Sequence, residues 1–152
     1  MVEALLAAGA DKDKAQRGGW TPLIFAAEHG HVECLKVLLS AGAAKDKVTN
    51  YASDALKWFD NDGITALRRA SCYGHVDCVK TLLAEKADVN KPTKKGFTPL
   101  IAASSNNHME IMKLLLAAGA KNDEITTYDK TALTYATEKG HHEIVQLLQQ
   151  AA

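Results

Sequence analysis

The sequence repeats itself with a period of 33 residues, and this period constrains the fold more than any other feature. A motif that ends in Thr, then Pro or Ala, then Leu occurs four times, at residues 19–23, 63–67, 96–100 and 129–133. Eleven residues after each start, a Gly or Asn is followed by His and, two residues later, by an acidic residue. The starts lie 44, 33 and 33 residues apart, so one 33-residue unit with a single 11-residue insertion explains the spacing.

Each unit predicts a pair of helices. Thr21 and Thr98 precede prolines, which suits the capped first turn of a helix. The helix that follows is rich in alanine, and Gly30 ends it in a tight turn. A second helix carries apolar residues such as Ile111 and Leu115 at helical spacing. One such pair cannot bury both of its sides, so we expect neighbouring units to stack into an all-α solenoid.

The composition agrees with a helical chain and excludes several functions. Ala (25) and Leu (17) far outnumber Val (8) and Ile (6). The 18 basic and 18 acidic residues are interspersed, which argues against nucleic acid or a membrane surface as the binding partner. No apolar run approaches the roughly 18 residues of a membrane span, and no basic leader precedes the first apolar residues. Three cysteines predict thiols in a reducing compartment, cytoplasmic or nuclear.

The joint match of period, Thr-Pro-Leu and Gly-His-x-Glu resembles the ankyrin-repeat family over nearly the whole chain. This resemblance implies an all-α ankyrin-repeat solenoid, in which helix–turn–helix repeats are joined by hairpin-like finger loops. We therefore expect one domain over residues 1–152, with the first helix missing from its first unit. Its expected parts are a half repeat (1–15), a repeat (16–48), an insertion (49–59), two repeats (60–92 and 93–125) and a C-terminal capping repeat (126–152).

Some positions depart from the family pattern. The histidine that usually follows Thr-Pro-Leu is absent from all four units, where Ile24, Arg68, Ile101 and Thr134 stand instead. Arg68 is the most unusual of these, because a buried arginine needs partners. Asn107 and Lys86 replace turn glycines, and asparagine adopts left-handed backbone conformations more readily than most residues.

The histidines and cysteines predict structure rather than chemistry. Four histidines recur at one position of the repeat, as a hydrogen-bonding residue of the scaffold does: His31, His75, His108 and His141. Cys72, His75 and Cys78 have the spacing of metal ligands, but structural sites for soft metals normally need four ligands. We therefore expect no metal, no cofactor and no catalytic residue.

The resemblance implies that a partner binds on a concave face formed by finger tips and first helices. The expected contacts there are Trp20, Phe25, His29, Ile64, Arg69, Tyr73, Lys94, Phe97, Asn106, Tyr128 and Lys130. Large aromatic and arginine side chains are typical of interface hot spots, although Trp20 and Phe97 also suit local packing. The insertion adds Tyr51, Trp58 and Phe59, which form either a contact surface or a flap folded over the repeats.

These observations predict a non-catalytic protein–protein interaction module, a scaffold or adaptor that binds another protein and is itself a monomer. Two alternatives remain open. The chain could be a regulatory or substrate-recruiting segment of a larger enzyme, because residue 1 falls inside a second helix of the repeat pattern. It could also be a designed or purely structural array, which suits the neutral charge but not the irregular insertion.

Overall fold

A computed structural model describes residues 2–50 and 62–151, and within these ranges the chain forms nine α-helices and no β-strand. The helices in chain order are α1 (Val2–Ala7), α2 (Pro22–Glu28), α3 (Val32–Ser40), α4 (Ala66–Tyr73), α5 (Val76–Ala84), α6 (Pro99–Ser105), α7 (Met109–Ala117), α8 (Ala132–Glu138) and α9 (His142–Gln150). In that part of the chain, none of these helices has the length and apolar character that a membrane crossing requires.

The helices stack in two rows. The first helices α2, α4, α6 and α8 pack on one another in sequence order, and the second helices α3, α5, α7 and α9 do the same. Each first helix also packs on the second helix of its own unit, while α1 packs on α3. The predicted all-α solenoid is confirmed, because every unit buries its surface against its neighbours.

Threonine side chains start all four first helices, as predicted for Thr21 and Thr98. The hydroxyl oxygen of each accepts a hydrogen bond from the amide three residues later, at distances between 3.1 and 3.2 Å. This bond satisfies an amide that has no carbonyl partner within the helix. Proline follows two of these threonines at no cost, since the first turn needs no donor there.

The left-handed turn positions that lack glycine are occupied as expected. Asn107 has φ of 61° and Lys86 has φ of 59°, and both stand where other units use glycine. Gly74, which holds the repeat position of Asn107 in the second full unit, has φ of 81° and ends α4. A turn of the same shape therefore forms with or without glycine, at some cost in strain for the substituted positions.

Small and aliphatic side chains fill the space between the units. An alanine at the same position of each first helix is almost fully buried, and so is a leucine at the same position of each of the second helices α3, α5, α7 and α9. These residues are Ala26, Ala70, Ala103 and Ala136 in the first helices, and Leu38, Leu82, Leu115 and Leu148 in the second helices. The small first-helix side chains allow neighbouring helices to approach closely.

A finger precedes each first helix, and backbone hydrogen bonds between its two ends close it. The amide of Thr93 donates to the carbonyl of Phe97 at 3.0 Å, and the amide of Thr126 donates to that of Lys130 at 2.9 Å. Fingers are also joined to each other, since the amides of Asn50, Lys94 and Thr127 donate to carbonyls of the preceding finger.

Backbone hydrogen bonds of Thr49 and Asn50 show that these two residues belong to a finger. The amide of Thr49 donates to the carbonyl of Ile64 at 3.1 Å, so Thr49 occupies the position that Thr93 and Thr126 hold in their fingers. Thr49 and Asn50 therefore belong to the finger pattern, although the sequence assigned them to the insertion at 49–59; the other residues of that insertion lie outside the described residues. The sequence does not reveal this position of Thr49, because a backbone hydrogen bond that closes a finger requires no particular residue type.

Candidate functional site

Trp20, Phe25, Arg69 and Tyr73 form a cluster between the first two full units. The guanidinium carbon of Arg69 lies 4.8 Å from the centre of the Trp20 ring and 5.8 Å from that of Tyr73. The Trp20 and Phe25 rings are 5.0 Å apart. Because Trp20 and Phe25 belong to one unit and Arg69 and Tyr73 to the next, this cluster ties two units together on the finger side of the stack.

Arg69 contacts both an acidic and a hydroxyl group of this cluster. Arg69 lies 4.0 Å from a carboxylate oxygen of Glu28, and its Nη1 donates to the Tyr73 hydroxyl at 3.4 Å. Partial removal from water raises the pKa of the Tyr73 hydroxyl, and Glu28 adds to this rise while Arg69 opposes it. The phenol therefore stays neutral near pH 7 and is available as a hydrogen-bond donor or acceptor.

A second cluster joins the last two units. The Phe97 ring lies 5.5 Å from the Tyr135 ring and 6.3 Å from that of Tyr128. Lys95 and Lys130 place their ammonium groups 5.9 Å and 5.5 Å from the centres of Tyr128 and Tyr135, respectively. Both clusters thus combine aromatic rings with cations, and both lie on fingers and first helices; we call them together the finger surface.

Two lysines at this surface, Lys94 and Lys130, are paired with acids. Lys130 donates to Glu138 at 2.7 Å, and this hydrogen bond raises the pKa of the lysine ammonium. Lys94 forms an ion pair with Asp62 on the preceding finger. These pairs offset part of the positive charge of the finger surface.

The predicted contact residues differ in how much surface they present. Tyr73 is 49% exposed and Tyr128 is 54% exposed, whereas Trp20 is only 9% exposed. Ile64 is completely buried, so its prediction as a partner contact is corrected: an enclosed side chain has no surface left to cover. The burial of Trp20 favours the packing role that the sequence left open for it. Phe25, Arg69 and Phe97 are half-buried.

Two further predicted contacts are exposed at the tips of the first helices. His29 is exposed, and its Nδ1 lies 3.0 Å from the carbonyl oxygen of Phe25. Asn106 is exposed at the equivalent position of a later unit, and its side-chain amide donates to the carbonyl of Ala102 at 2.8 Å. The remaining predicted contacts, Tyr51, Trp58 and Phe59, lie outside the described residues.

Arg68 belongs to the finger surface although the sequence assigned it no role there. It is buried, and its guanidinium carbon lies 5.8 Å from the centre of the Phe97 ring in the next unit. Neighbouring units hold isoleucine at this position, Ile24 and Ile101. The sequence therefore marks Arg68 as unusual, because a charged residue stands at a repeat position that is otherwise apolar. Its contact with the Phe97 ring depends on how neighbouring units pack.

The recurring histidines hold neighbouring units together, as predicted. A carbonyl oxygen can only accept, so each ring donates through Nε2 to the end of the preceding first helix. His75 bonds to the carbonyl of Glu28 at 2.8 Å, and His108 bonds to that of Cys72 at 3.0 Å. His141 approaches the carbonyl of Ser105 at 3.4 Å. These bonds satisfy carbonyl groups that a helix leaves open at its C-terminus.

The cysteines are separate thiols. Cys34, Cys72 and Cys78 are all free, and burial raises the pKa of the Cys78 thiol. The Nε2 of His75 forms a hydrogen bond with the carbonyl of Glu28, although Cys72, His75 and Cys78 have the sequence spacing of metal ligands. Across residues 2–50 and 62–151, no three His, Cys, Asp or Glu side chains come together in a way that could hold a metal ion.

Comparison with known proteins adds a family match and several relatives. The family described as ankyrin repeats (3 copies) matches residues 1–93 and again residues 85–152. The chain is similar over 53 residues to proteins named "Ankyrin repeat, SAM and basic leucine zipper domain-containing protein 1". The identity is 49% for the protein of Echinops telfairi, 47% for that of Dasypus novemcinctus and 45% for that of Equus caballus. Each match covers 32% of this chain and 11% of the relative, so the chain spans only a small part of these proteins.

Proposed function

Because this chain belongs to the ankyrin-repeat family, whose repeats generally mediate protein–protein interaction, we propose that it is a non-catalytic module that binds a partner protein on its finger surface. The proposal assigns to this surface the binding role that the resemblance gave to a concave face. The family is typically non-catalytic, and the proposal assigns the described residues no chemical step. The partner covers side chains of fingers and first helices from several units at once.

The exposure of Tyr73 and Tyr128 carries this proposal. Both are large aromatic side chains at the surface, and each has a cation near its ring, Arg69 at Tyr73 and Lys95 at Tyr128. Tyrosine is enriched in interface hot spots because it buries a large area and still forms a hydrogen bond. A ring already held by its neighbours loses little conformational freedom when a partner covers it.

The two clusters suggest a partner segment that crosses several units. One cluster contains Arg69 and Tyr73, and the other contains Tyr128 and Lys130, so the exposed tyrosines belong to the second and the fourth full unit of the array. Because Arg69 lies beside Glu28 and Lys130 is paired with Glu138, we expect affinity to come from apolar contact and neutral hydrogen bonds more than from these charges. Binding should therefore weaken only slightly as salt concentration increases.

Paired variants test this assignment. We expect Tyr73→Ser with Tyr128→Ser to lower partner capture by at least tenfold, because each hot-spot residue contributes at least about 1–2 kcal/mol. The matched control, Lys80→Gln with Lys113→Gln, changes two exposed residues on second helices. Partners are captured from a cell extract, identified by mass spectrometry and then titrated with each purified variant. Equal affinity of the two double variants for every captured partner would contradict the finger-surface proposal.

Residues 51–61 are a further proposed part of the binding surface, with Tyr51, Trp58 and Phe59 as contacts. The deletion of these eleven residues joins Asn50 to Asp62 and gives this finger the length of the others. We expect the shortened protein to fold and to bind the partner more weakly. Unchanged affinity with an unchanged melting temperature would show that the segment makes no contact.

The relatives support a second arrangement, in which the repeats form one part of a longer protein. Their names include a SAM and a basic leucine zipper domain, and the match covers only 11% of their length. In such a chain the same finger surface would recruit a partner for the other domains to act on. Transfer of the double tyrosine variant into the longer protein should then abolish recruitment while any activity of the other domains persists.

A further inference from the structure

Three lysines stand at the same repeat position in consecutive linkers. Lys14, Lys47 and Lys91 follow α1, α3 and α5, respectively. Each ends a turn of the same kind, in which the lysine amide donates to the carbonyl three residues earlier, at 3.2, 3.1 and 3.5 Å, respectively. Lys14 and Lys47 are exposed and Lys91 is half-buried. We call these three residues the lysine row.

The residue before each lysine fastens its linker to the next one. A side-chain oxygen of Asp13, Asp46 or Asn90 accepts a hydrogen bond from a backbone amide of the following linker, at 2.8 to 2.9 Å. The same bond therefore recurs from unit to unit and sets the linkers side by side. Because packed helices lie about 8–10 Å apart, successive members of the lysine row are separated by a distance of this order.

The acidic residues beside the lysine row bind backbone amides. Asp11 and Asp88 each accept the amide two residues later, at 2.9 and 3.0 Å, and Asp13 and Asp46 bind the next linker. In residues 2–50 and 62–151, no acidic side chain lies within ion-pair distance of the lysine row. Lys47 donates to the carbonyl of Asp13 at 2.9 Å, and this bond leaves the charge of its ammonium without a counter-charge.

The charge of the linkers changes sign along the stack. Residues 11–17, 44–50 and 88–94 contain seven basic and four acidic side chains. The equivalent residues 121–127 contain one basic and two acidic side chains, and Glu124 stands at the position of the lysines. The basic stretch thus covers three linkers and stops at the fourth. It runs along the side of the stack and not across an end, so the packing of a further repeat would not cover it.

We infer that the lysine row binds an extended acidic segment of a partner protein, with a carboxylate at every third residue. An extended chain advances about 3.3 Å per residue, so about three residues span the distance between neighbouring units. Each carboxylate then meets one ammonium group, and this complementarity selects acidic partners. Consecutive acidic residues fit less well, because several carboxylates would compete for the same lysine.

Residues 51–61 are too short to occupy the whole lysine row. Thr49 and Gly63, which lie close to the two sides of this segment, are joined by a backbone hydrogen bond of 2.9 Å. A segment that leaves and returns at one place can follow the row for about half of its eleven residues. About seven residues are needed to pass all three lysines. None of these lysines belongs to the finger surface, so the inference does not rest on the proposal for that surface.

The test compares two synthetic peptides of the same composition. One is a glycine–serine peptide with three glutamates at every third position, and in its isomer the three glutamates are consecutive. Each peptide is titrated into the isotope-labelled full chain at about 20 mM salt, and the backbone amide signals of Lys14, Lys47 and Lys91 are followed by nuclear magnetic resonance. We expect the spaced peptide to shift all three signals and to bind at least about threefold more tightly than its isomer. About 200 mM salt should lower its affinity at least about fivefold.

Two triple variants with the same loss of charge locate the site. The first replaces the lysine row: Lys14→Gln, Lys47→Gln and Lys91→Gln. The second changes lysines that share another repeat position, on the second helices: Lys36→Gln, Lys80→Gln and Lys113→Gln. The first should lower the affinity for the spaced peptide at least about fivefold, and the second should leave it within about twofold.

Three results would overturn the inference. They are equal affinity of the two triple variants, equal binding of the two peptides, and tighter binding of a thymidine tetranucleotide, whose three phosphates match the charge of the peptide. The last result would assign the lysine row to nucleic acid. The tyrosine variants of the finger surface should bind the spaced peptide like the unmodified protein, so the two proposals fail separately.

Discussion

The guanidinium carbon of Arg69 lies 4.8 Å from the centre of the Trp20 ring, and this contact links α4 to the finger of the preceding unit. Trp20 is nearly buried while Arg69 also reaches Glu28 and Tyr73. The contact therefore serves two purposes: it joins the units, and it fixes the position of the exposed Tyr73 ring on the finger surface.

A double-mutant cycle measures this contact. With Trp20→Leu, Arg69→Met and the double variant, we expect a coupling free energy of about 0.5–2 kcal/mol in urea denaturation. The replacements keep apolar bulk, so the cycle isolates the attraction between the cation and the ring. A coupling of zero within error would mean that Trp20 and Arg69 stabilise the stack independently.

The histidine positions offer a matched comparison. His108→Ala should lower the free energy of unfolding by about 1–2 kcal/mol, because the variant leaves the carbonyl of Cys72 without its partner. His31→Ala, at the same repeat position, should change it by less than about 0.5 kcal/mol. Urea denaturation of both variants checks the prediction; equal losses would rule out a hydrogen bond between units as the cause.

Glycines at two left-handed positions should differ in their tolerance of a side chain. In Gly96→Ala the new Cβ would lie 2.7 Å from the carbonyl oxygen of Ile125, whereas in Gly119→Ala it meets nothing within 4 Å. Both variants carry the backbone strain of a positive φ, about 1–2 kcal/mol. We expect Gly96→Ala to cost at least about 1 kcal/mol more, as measured by thermal and urea unfolding.

The core of the third full unit should respond strongly to truncation. Leu115 in α7 is fully buried, so Leu115→Ala should cost about 2–5 kcal/mol in the free energy of unfolding. Lys113→Ala, in the same helix and exposed, should stay within about 0.5 kcal/mol of the unmodified protein. A small loss for Leu115→Ala would indicate that the neighbouring helices collapse into the cavity.

Thiol chemistry should distinguish the three cysteines. Removal from water is the main cause that raises the pKa of Cys78, and the Asp77 carboxylate adds to it. At pH 8 the folded protein should therefore react quickly with a thiol reagent at the half-buried Cys34 and Cys72, and at Cys78 only after unfolding. Because the folded-state pKa is raised, stability from the neutral thiol is complete below about pH 8.5 and is lost as the pH rises further. Cys78→Ala should remove this part of the pH dependence.

Much of the scaffold was predictable because repeated local motifs determine it. Thr21 and Thr98 cap helices through their own side chains, and the histidines hold the same bond in successive units, so their spacing alone identified them. Ile64 was not predictable in the same way. Its repeat position is occupied by Trp20, Phe97 and Lys130 in other units, and burial there depends on what surrounds each finger rather than on the motif.

The remaining features of the candidate site depend on contacts between units. Arg68 meets the Phe97 ring 29 positions later in the chain, and such a pair has no signature within one repeat. The sequence motifs identify the units, whereas the packing of neighbouring units determines which aromatic residues stay exposed.

The backbone bonds between fingers have a mechanical consequence. The carbonyl of Gly18 accepts from Asn50, that of Asp62 from Lys94 and that of Lys95 from Thr127, so each of these bonds joins one finger to the next. A pulling force applied to the two ends of the chain would load these links in series. We expect the repeats to unfold one after another from an end, at a force set by the weakest contact between two units.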